Sequence, residues 1–455
     1  MSLESVHLNP DTVEDRRARG KAARKRAPRQ TLGVWEPGDD RPDALGLLEA
    51  QNDIRVPDLV PIRYGRMSAS PWTYLRGAAA VMASDLAMGP SSGLEVQLCG
   101  DAHVLNFGLW ATPERNLSFD LRDFDETHPG PFEWDVKRLA TSLVVAAREN
   151  QLGHEVADRA VSEALRAYQA RMRAYTTMSE MEVWYDHIYV DQLLTYFQTE
   201  HREQIVRRYA KKGLRRTSLG AFEKLTAVVD GRRRIVDDPP LLEHIMGDDE
   251  RLPVVEEVFK KYRASLSDDR RHLLNQFSFV DTARKVVGVG SVGMRVQLLL
   301  LQGRDGTDPL FLQIKQAGRS VLEAHTRKSR YRNHGARVIN GQRLIQSATD
   351  IFVGWTSFAG MDFYVRQFRD MKIIPESAGI APVLAEFATA CGEVLARAHA
   401  RSGDPLAIAS YIGQSDTFER SVAAFARRYA DQTERDHQEM LDAIASGRIA
   451  SEPGW

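Results

Sequence analysis

Through most of the chain the apolar positions recur every three or four residues, the period of a helix buried along one face. In two regions they switch to the short, dense runs typical of strands. VPDLVPIRYGRM reads as extended structure, followed by a helix from Pro71 to Met88. LEVQLCGD then reads as a short buried strand, and LSFDLRDFDE as a second strand ending in acidic residues. From Phe132 to about Leu274 the pattern is mostly helical, as in WDVKRLATSLVVAARE, VADRAVSEALRAYQARMRAY and PVVEEVFKKYRASL. The texture changes near Phe277. RVQLLLLQG and PLFLQIKQ flank GRDGTD, a hairpin signature. A helix candidate, Asn333 to Ser347, separates these from two further strand candidates, DIFVGWTSF and DFYVRQF. After Pro375 helices return in VLAEFATACGEVLARAHARSGD and SVAAFARRYADQTERDHQEMLDAIA. The pattern predicts an α+β, two-lobed chain in four parts: a polar, basic N-terminal segment (1–40), a helical lobe (41–276), a small antiparallel β-rich lobe (277–375), and C-terminal helices (376–455) completing the helical lobe.

Composition narrows the function classes. With 61 basic and 62 acidic residues the net charge is -1, so no global charge draws the chain to nucleic acid or to an anionic membrane. The basic runs Arg16 to Gln30, Arg207 to Arg216 and Gly231 to Ile235 read as solvated faces. Two cysteines, Cys99 and Cys391, supply neither a disulfide framework nor a Cys-rich zinc site. No uninterrupted apolar run reaches the roughly 18 residues of a membrane helix, and the N-terminus lacks the apolar stretch of a secretory signal. A cytoplasmic protein is expected, with no membrane or nucleic-acid partner.

Four stretches carry chemistry. In GDAHVLNFG, Asp101 and Asn106 have the D-x-x-x-x-N spacing of a kinase catalytic loop. That chemistry needs a carboxylate to take the acceptor hydroxyl's proton and a neutral oxygen ligand for Mg2+ on one tight loop. Fourteen residues beyond Asn106 lies Asp120, where a second metal-binding Asp is expected, with Asp123 as the other choice. Asp120, Asp123, Asp125 and Glu126 fall within seven residues and repel one another unless a cation or basic partner sits among them. GVGSVG places Gly288, Gly290, Ser291 and Gly293 between two strands, the setting of a nucleotide-covering loop and not of a dinucleotide fold. Lys315 closes the strand after the hairpin, where a lysine pairs with the α- and β-phosphates of ATP. Glu323 is its expected acidic partner, and His103 is expected to buttress the loop by hydrogen bonding. These elements stand in reverse of the usual kinase order, with the glycine loop and Lys315 nearly two hundred residues after the catalytic loop. Circular permutation resolves this. It requires the helix ending near Asp404 to lead into the catalytic loop, and makes Val365 to Lys372 the hinge, with Gln367 and Phe368 presenting backbone groups to adenine.

The stretches RPDALGLLEAQ, LVPIRYGRM, QLCGDAHVLNFG, FDLRDFDE, FEWDVKRLA, DTARKVVGVGSVG and YADQTERDH resemble the bacterial family called domain of unknown function 2252, from about Gly20 to Ala445. The GD-x-H-x-x-N loop and the Asp after it also look like the aminoglycoside phosphotransferase and choline kinase branch of the kinase-like fold. That resemblance implies Asp101 as base, Asn106 and Asp120 as metal ligands and Lys315 on phosphate, with Asp135 loosely matching a supporting Asp. The expected function is transfer of the γ-phosphoryl group of Mg-ATP to a hydroxyl of a small molecule. The alternatives are a protein kinase or AMP-transferring enzyme on the same fold, or an inactive nucleotide-binding regulator.

Overall fold

The computed structural model describes residues 11–197, 199–214, 217–245, 247–368, 371–373 and 375–452. Two short antiparallel pairs carry the chemistry-bearing stretches of the first third of the chain. β1 (Glu95–Leu98) pairs with β4 (His128–Pro131), and between them β2 (Phe107–Ala111) pairs with β3 (Leu117–Leu121). Phe107 lies opposite Leu121, so Asn106 and Asp123, just beyond these two residues, emerge at the same end of the ladder.

The second third holds two further β units. β5 (Thr226–Val229) and β6 (Arg232–Ile235) form a hairpin about Asp230 and Gly231, both at positive φ. The mostly helical region before Phe277 thus holds a hairpin that was not expected, and the arginines of the GRRRI run lie on its second strand, exposed or half-buried. The Asp-Gly turn after Val228 and Val229 was the available signal. β7 (Leu242–Glu243), β8 (Ser278–Lys285), β9 (Val296–Gln302), β10 (Pro309–Ala317), β11 (Gly354–Phe358) and β12 (Met361–Gln367) then build one antiparallel sheet in the order β11-β12-β10-β9-β8-β7. The strands and hairpin read from the sequence are all present.

The run of four leucines in β9 follows from burial on both faces. Leu299 and Leu301, with Leu310, Leu312 and Ile314 of β10, pack against Val258 and Tyr262 of the helix Asp248–Ala264. Leu298, Leu300 and Phe311 face the other way, onto Ala221 and Phe222 of the helix Ser218–Leu225. The small lobe therefore recruits its covering helices from upstream. The expected boundary at 277 moves back to about Ser218, because neither helix has another apolar surface as its main partner.

The helical lobe is made from both ends of the chain. The helix Leu384–Ser402 lies along His154–Ala174, so close that a Cβ on Gly392 would sit 2.1 Å from the carbonyl oxygen of Ala164. Thr417–Ala445 packs on Glu133–Glu149. The stretch Ser377–Ser402 has the length and hydropathy of a membrane span, a feature the run-by-run reading missed, but 61% of its most apolar window is buried inside the protein. VPIRYGRMS is a helix and not extended structure, with Pro61 in its first turn, where a missing N–H is harmless.

The basic N-terminal run is a helix docked along one face, with Arg17, Arg19, Lys21, Lys25 and Arg26 exposed as expected of a solvated face. The helix Val13–Arg26 packs on Pro405–Ile412 through Gly20 and the buried Ala23. Arg24 donates to the carbonyls of Ser410 and Tyr411, and Arg29 to that of Ile412, capping a helix end whose last carbonyls have no intrahelical donor. The run Arg207 to Arg216 lies on the helix Glu200–Leu214 as far as the description extends, and residues 215 and 216 lie outside it.

Replacing Gly392 by Val drives a side chain into the Ala164 backbone. The expected loss is about 1–3 kcal/mol, with the whole helical lobe melting earlier. Urea unfolding followed by circular dichroism measures it, and an unchanged midpoint would show that the helices are free to part.

Candidate functional site

The loop after β1 is gripped by one face of the helix Glu133–Glu149. Asp135, Arg138 and Ser142 fall at i, i+3 and i+7 and so share that face. The Asp135 carboxylate accepts the backbone N–H groups of Cys99 at 2.6 Å and Gly100 at 3.0 Å. Ser142 Oγ accepts the N–H of Val104 at 2.8 Å. Arg138 donates from Nε at 2.7 Å and from Nη2 at 2.6 Å, both to Oδ1 of Asp101. That fixes Oδ1 of the Asp101 carboxylate, while Oδ2 lies 3.8 Å from His103 Nε2 and accepts no hydrogen bond among the described residues; Asp101 lines the cavity. Gly100 has φ 85°, and a Cβ there would sit 2.4 Å from the Glu126 carbonyl, so the loop must pass the acidic stretch without a side chain.

Asn106 is fully buried and joins the two stretches. Its Nδ2 donates to the carbonyls of Asp101 at 2.8 Å and Asp123 at 3.0 Å, while its Oδ1 accepts the N–H of Asp123 at 2.8 Å. The acidic residues then divide. Asp120 does not reach the site: its buried carboxylate takes the buried Arg397 Nη2 at 2.5 Å, and Ser347 N at 2.8 Å and Oγ at 2.5 Å. This corrects its expected place as a metal ligand, because strand direction turns it to the helix Leu384–Ser402. Asp123 takes the cavity position, and its buried Oδ1 has no hydrogen-bond partner. Burial opposes its charge, but Lys315, Arg366, Arg122 and Lys372 together hold its carboxyl below the usual range.

The middle of the chain closes the site. Lys315, 2% exposed, is ion-paired to Asp125, 190 residues away, and donates to Ser291 Oγ at 2.7 Å. Asp125 also accepts from Tyr364 OH at 2.7 Å. Burial alone would lower the Lys315 pKa, but Asp123 and Asp125 raise it above that of an ordinary lysine. Glu323 is not the partner of Lys315. It lies in a 3-10 turn with Arg319 3.7 Å away. The helix His334–Ile345 offers Arg337 instead, which donates to the carbonyls of Thr127 at 2.6 Å, Asp125 at 2.7 Å and Gly318 at 3.0 Å.

Gly288, Gly290 and Ser291 line a cavity of about 300 Å³ together with Asp101, Asp123 and Asp125. Gly293 stands behind it, its carbonyl accepting the Val56 N–H at 2.8 Å. Gln367 and Phe368 are not in the cavity: the Gln367 N–H goes to Asp350 Oδ2 at 2.6 Å and the Phe368 N–H to Phe311 O at 2.9 Å. Residues 369 and 370 of the expected hinge lie outside the described residues. His103 braces the loop through its backbone, its N–H donating to the Asp101 carbonyl at 2.8 Å and its carbonyl accepting the Asn106 N–H at 2.7 Å, while its ring packs edge-on to Trp72 with Nδ1 buried and unpartnered. Burial, then Arg76, Arg138 and Arg122, keep it neutral.

The donor set fits Mg2+. Among the described residues no group of three His, Cys, Asp or Glu side chains forms a ready metal cage, but Mg2+ is held by one or two carboxylates with phosphate oxygens and waters. The unpartnered Asp123 oxygen, with the remaining lone pair of Asn106 Oδ1, offers such a partial site. The sequence reading missed Arg55, Arg76 and Arg122, which also line the cavity. Isolated arginines carry no spacing signal.

The family model described as an uncharacterised protein conserved in bacteria, DUF2252, matches residues 55–443. No curated protein and no solved structure matches the chain.

Two outcomes follow from the buried charges. Asp120→Ala leaves Arg397 buried without its carboxylate, and an unfolding loss of about 3–5 kcal/mol is expected. An unchanged denaturation midpoint would remove Asp120 from the scaffold. Burial, with Asp125 and Asp101 nearby, raises the Glu126 pKa to about 7, against the Arg337 charge and the Val321 N–H. An acid with a raised folded-state pKa loses stability as pH rises from its unfolded value to its folded one. Glu126→Gln is therefore expected to melt above wild type at pH 8, the gap closing as pH falls from about 7 towards 4.5. A pH-independent gap would contradict the assignment.

Proposed function

The chain belongs to the DUF2252 family, and from that premise we propose that it is a Mg-ATP-dependent phosphotransferase on a circularly permuted kinase-like fold, acting on a hydroxyl of a small molecule. The observation that carries this reading is the meeting of Lys315, Ser291 and Asp125 beside Asp101 and Asp123, across the two lobes. Permutation is supported at the expected joint: Ser402, at the end of Leu384–Ser402, accepts the N–H of Gln97 in β1 at 3.1 Å. The helix that would lead into the catalytic loop thus ends beside the strand that does.

Each residue then has a task. Lys315 and the amides of the glycine loop hold the phosphates. The N–H groups of Gly290 and Ser291 donate to no protein acceptor among the described residues, and so are free to donate to phosphate oxygens. Asp123 and Asn106 would hold Mg2+, which supplies charge neutralisation at the β- and γ-oxygens when bound. Asp101 Oδ2 accepts the acceptor's hydroxyl proton as the acceptor oxygen bonds to the γ-phosphorus. The bond from that phosphorus to the β–γ bridging oxygen breaks, and ADP leaves with the electron pair. Arg138 keeps Asp101 aimed throughout. Most of the acceleration comes from positioning and electrostatics.

Calorimetry with Mg2+ and a non-hydrolysable ATP analogue tests this reading. Wild type binds, Asp123→Ala weakens binding about tenfold or more, and Asp101→Asn leaves it within about twofold while lowering ATP turnover about 10²-fold or more. Absence of nucleotide binding by wild type would end the reading.

A further inference from the structure

The arginines withdrawn from solvent fall into two groups. Most donate to oxygens, even where one or two of their nitrogens lack a partner: Arg41 bridges Asp85 and Asp436, Arg397 holds Asp120, and Arg63 and Arg337 donate to backbone or side-chain oxygens. Those facing the cavity do so less or not at all. Among the described residues the half-buried guanidinium groups of Arg76 and Arg122 make no hydrogen bond, and Arg76 lies over the Trp72 ring, 5.9 Å from its centroid. Arg55, 8% exposed, donates among them to the Val292 carbonyl alone. Burying a guanidinium without an acceptor is costly. Burial lowers the pKa of all three, Arg55 to about 9 and Arg122 to about 10.

Carboxylates act on them through space, Asp101 and Asp123 on Arg76 and Arg122, Glu126 and Asp125 on Arg55, but among the described residues none is hydrogen-bonded to these guanidinium groups: Asp101 is held by Arg138 and Asp125 by Lys315. Arg55 and Arg76 come from the segment that lies over the glycine loop: the Val56 N–H and Arg55 take loop carbonyls, and the Arg76 carbonyl lies against Gly290. The three cations thus line the same cavity as Asp101 and the glycine loop, and Lys315 is not among its lining residues. Resting on the phosphotransferase reading, we propose that Arg55, Arg76 and Arg122 seat an oxyanion group, phosphate or carboxylate, carried by the hydroxyl acceptor. The acceptor is then an anionic small molecule, with its hydroxyl turned to Asp101 and its charged group on the arginine wall.

The test titrates inorganic phosphate, and separately malonate, into the full chain, alone and with saturating Mg2+ and the ATP analogue. One of the two anions is expected to bind in the presence of the analogue, and the tighter of them names the group. Arg76→Gln and, independently, Arg122→Gln should weaken that anion about tenfold or more while analogue affinity stays within about twofold. If the variants lose the analogue and the anion equally, the arginines serve the nucleotide and the proposal is overturned. If the analogue binds and neither anion does, it is overturned too. If wild type binds an anion but no analogue, the phosphotransferase reading falls, and the acceptor assignment falls with it.

Discussion

The side-chain amide of Asn106 is the joint on which the site depends. One planar group donates to the carbonyls of Asp101 and Asp123 and accepts from the N–H of Asp123. It sits where β2 begins and β3 has just ended, so the hairpin register decides which residues it can join. A slip of one residue would move every side chain of the hairpin to the opposite face. The grip of Asp135, Arg138 and Ser142 on the preceding loop removes its other freedom. The loop of Asp101 and the acidic stretch are thus tied into one body, and the small lobe docks on that body through Arg337, Lys315 and Tyr364. All three contacts converge on Asp125, its carboxylate or its carbonyl.

What could be read from the sequence was whatever a short stretch determines for itself. Each strand of the sheet declares its own alternation, and β9 declares burial on both faces. The Asp101 and Asn106 spacing is a property of one loop, and the glycine loop and Lys315 are placed by the strands beside them. What could not be read depends on a distant partner. Asp120 and Asp123 are equivalent as letters. Only the direction of β3 and the position of Arg397, 277 residues on, send the first into the scaffold and leave the second in the cavity. Glu323 was expected on a helix and lies in a turn. The backbone of Gln367 was expected to face a ligand and is already bound to Asp350. The lobe boundary was misplaced for the same reason: nothing local tells that Ser218–Leu225 and Asp248–Ala264 are the two covers of a sheet whose long strands begin only at Ser278.

The distribution of charge separates scaffold from site more sharply than residue type does. Scaffold arginines have oxygens at hydrogen-bond distance, carboxylates at Arg41 and Arg397, where removing either partner leaves a stranded charge, and neutral oxygens at Arg63 and Arg337. In the cavity Arg76 and Arg122 lack such partners among the described residues, and a carboxylate oxygen of Asp123 lacks a donor. Both conditions oppose folding, and both would be relieved by one kind of visitor, a metal-bound phosphate compound carrying both signs. A polar cavity whose opposite charges have been kept from neutralising one another is organised for binding, because pairing them internally would have been the more stable arrangement.

The pair that is neutralised, Lys315 with Asp125, sets the order of events that a phosphotransferase would need. Lys315 can meet a phosphate only by sharing or leaving Asp125, and it stays charged in either state because Asp123 stands by it. Asp125 does not become an orphan when this happens, since Tyr364 OH still donates to its other oxygen. Because Asp125 stays in place, the phosphate's charge adds to the site, and it is the cavity cations, not the exchange at Lys315, that must balance it. By the same argument the tyrosine is what makes the exchange reversible: it holds the displaced carboxylate within reach, ready to take Lys315 back when the phosphate departs.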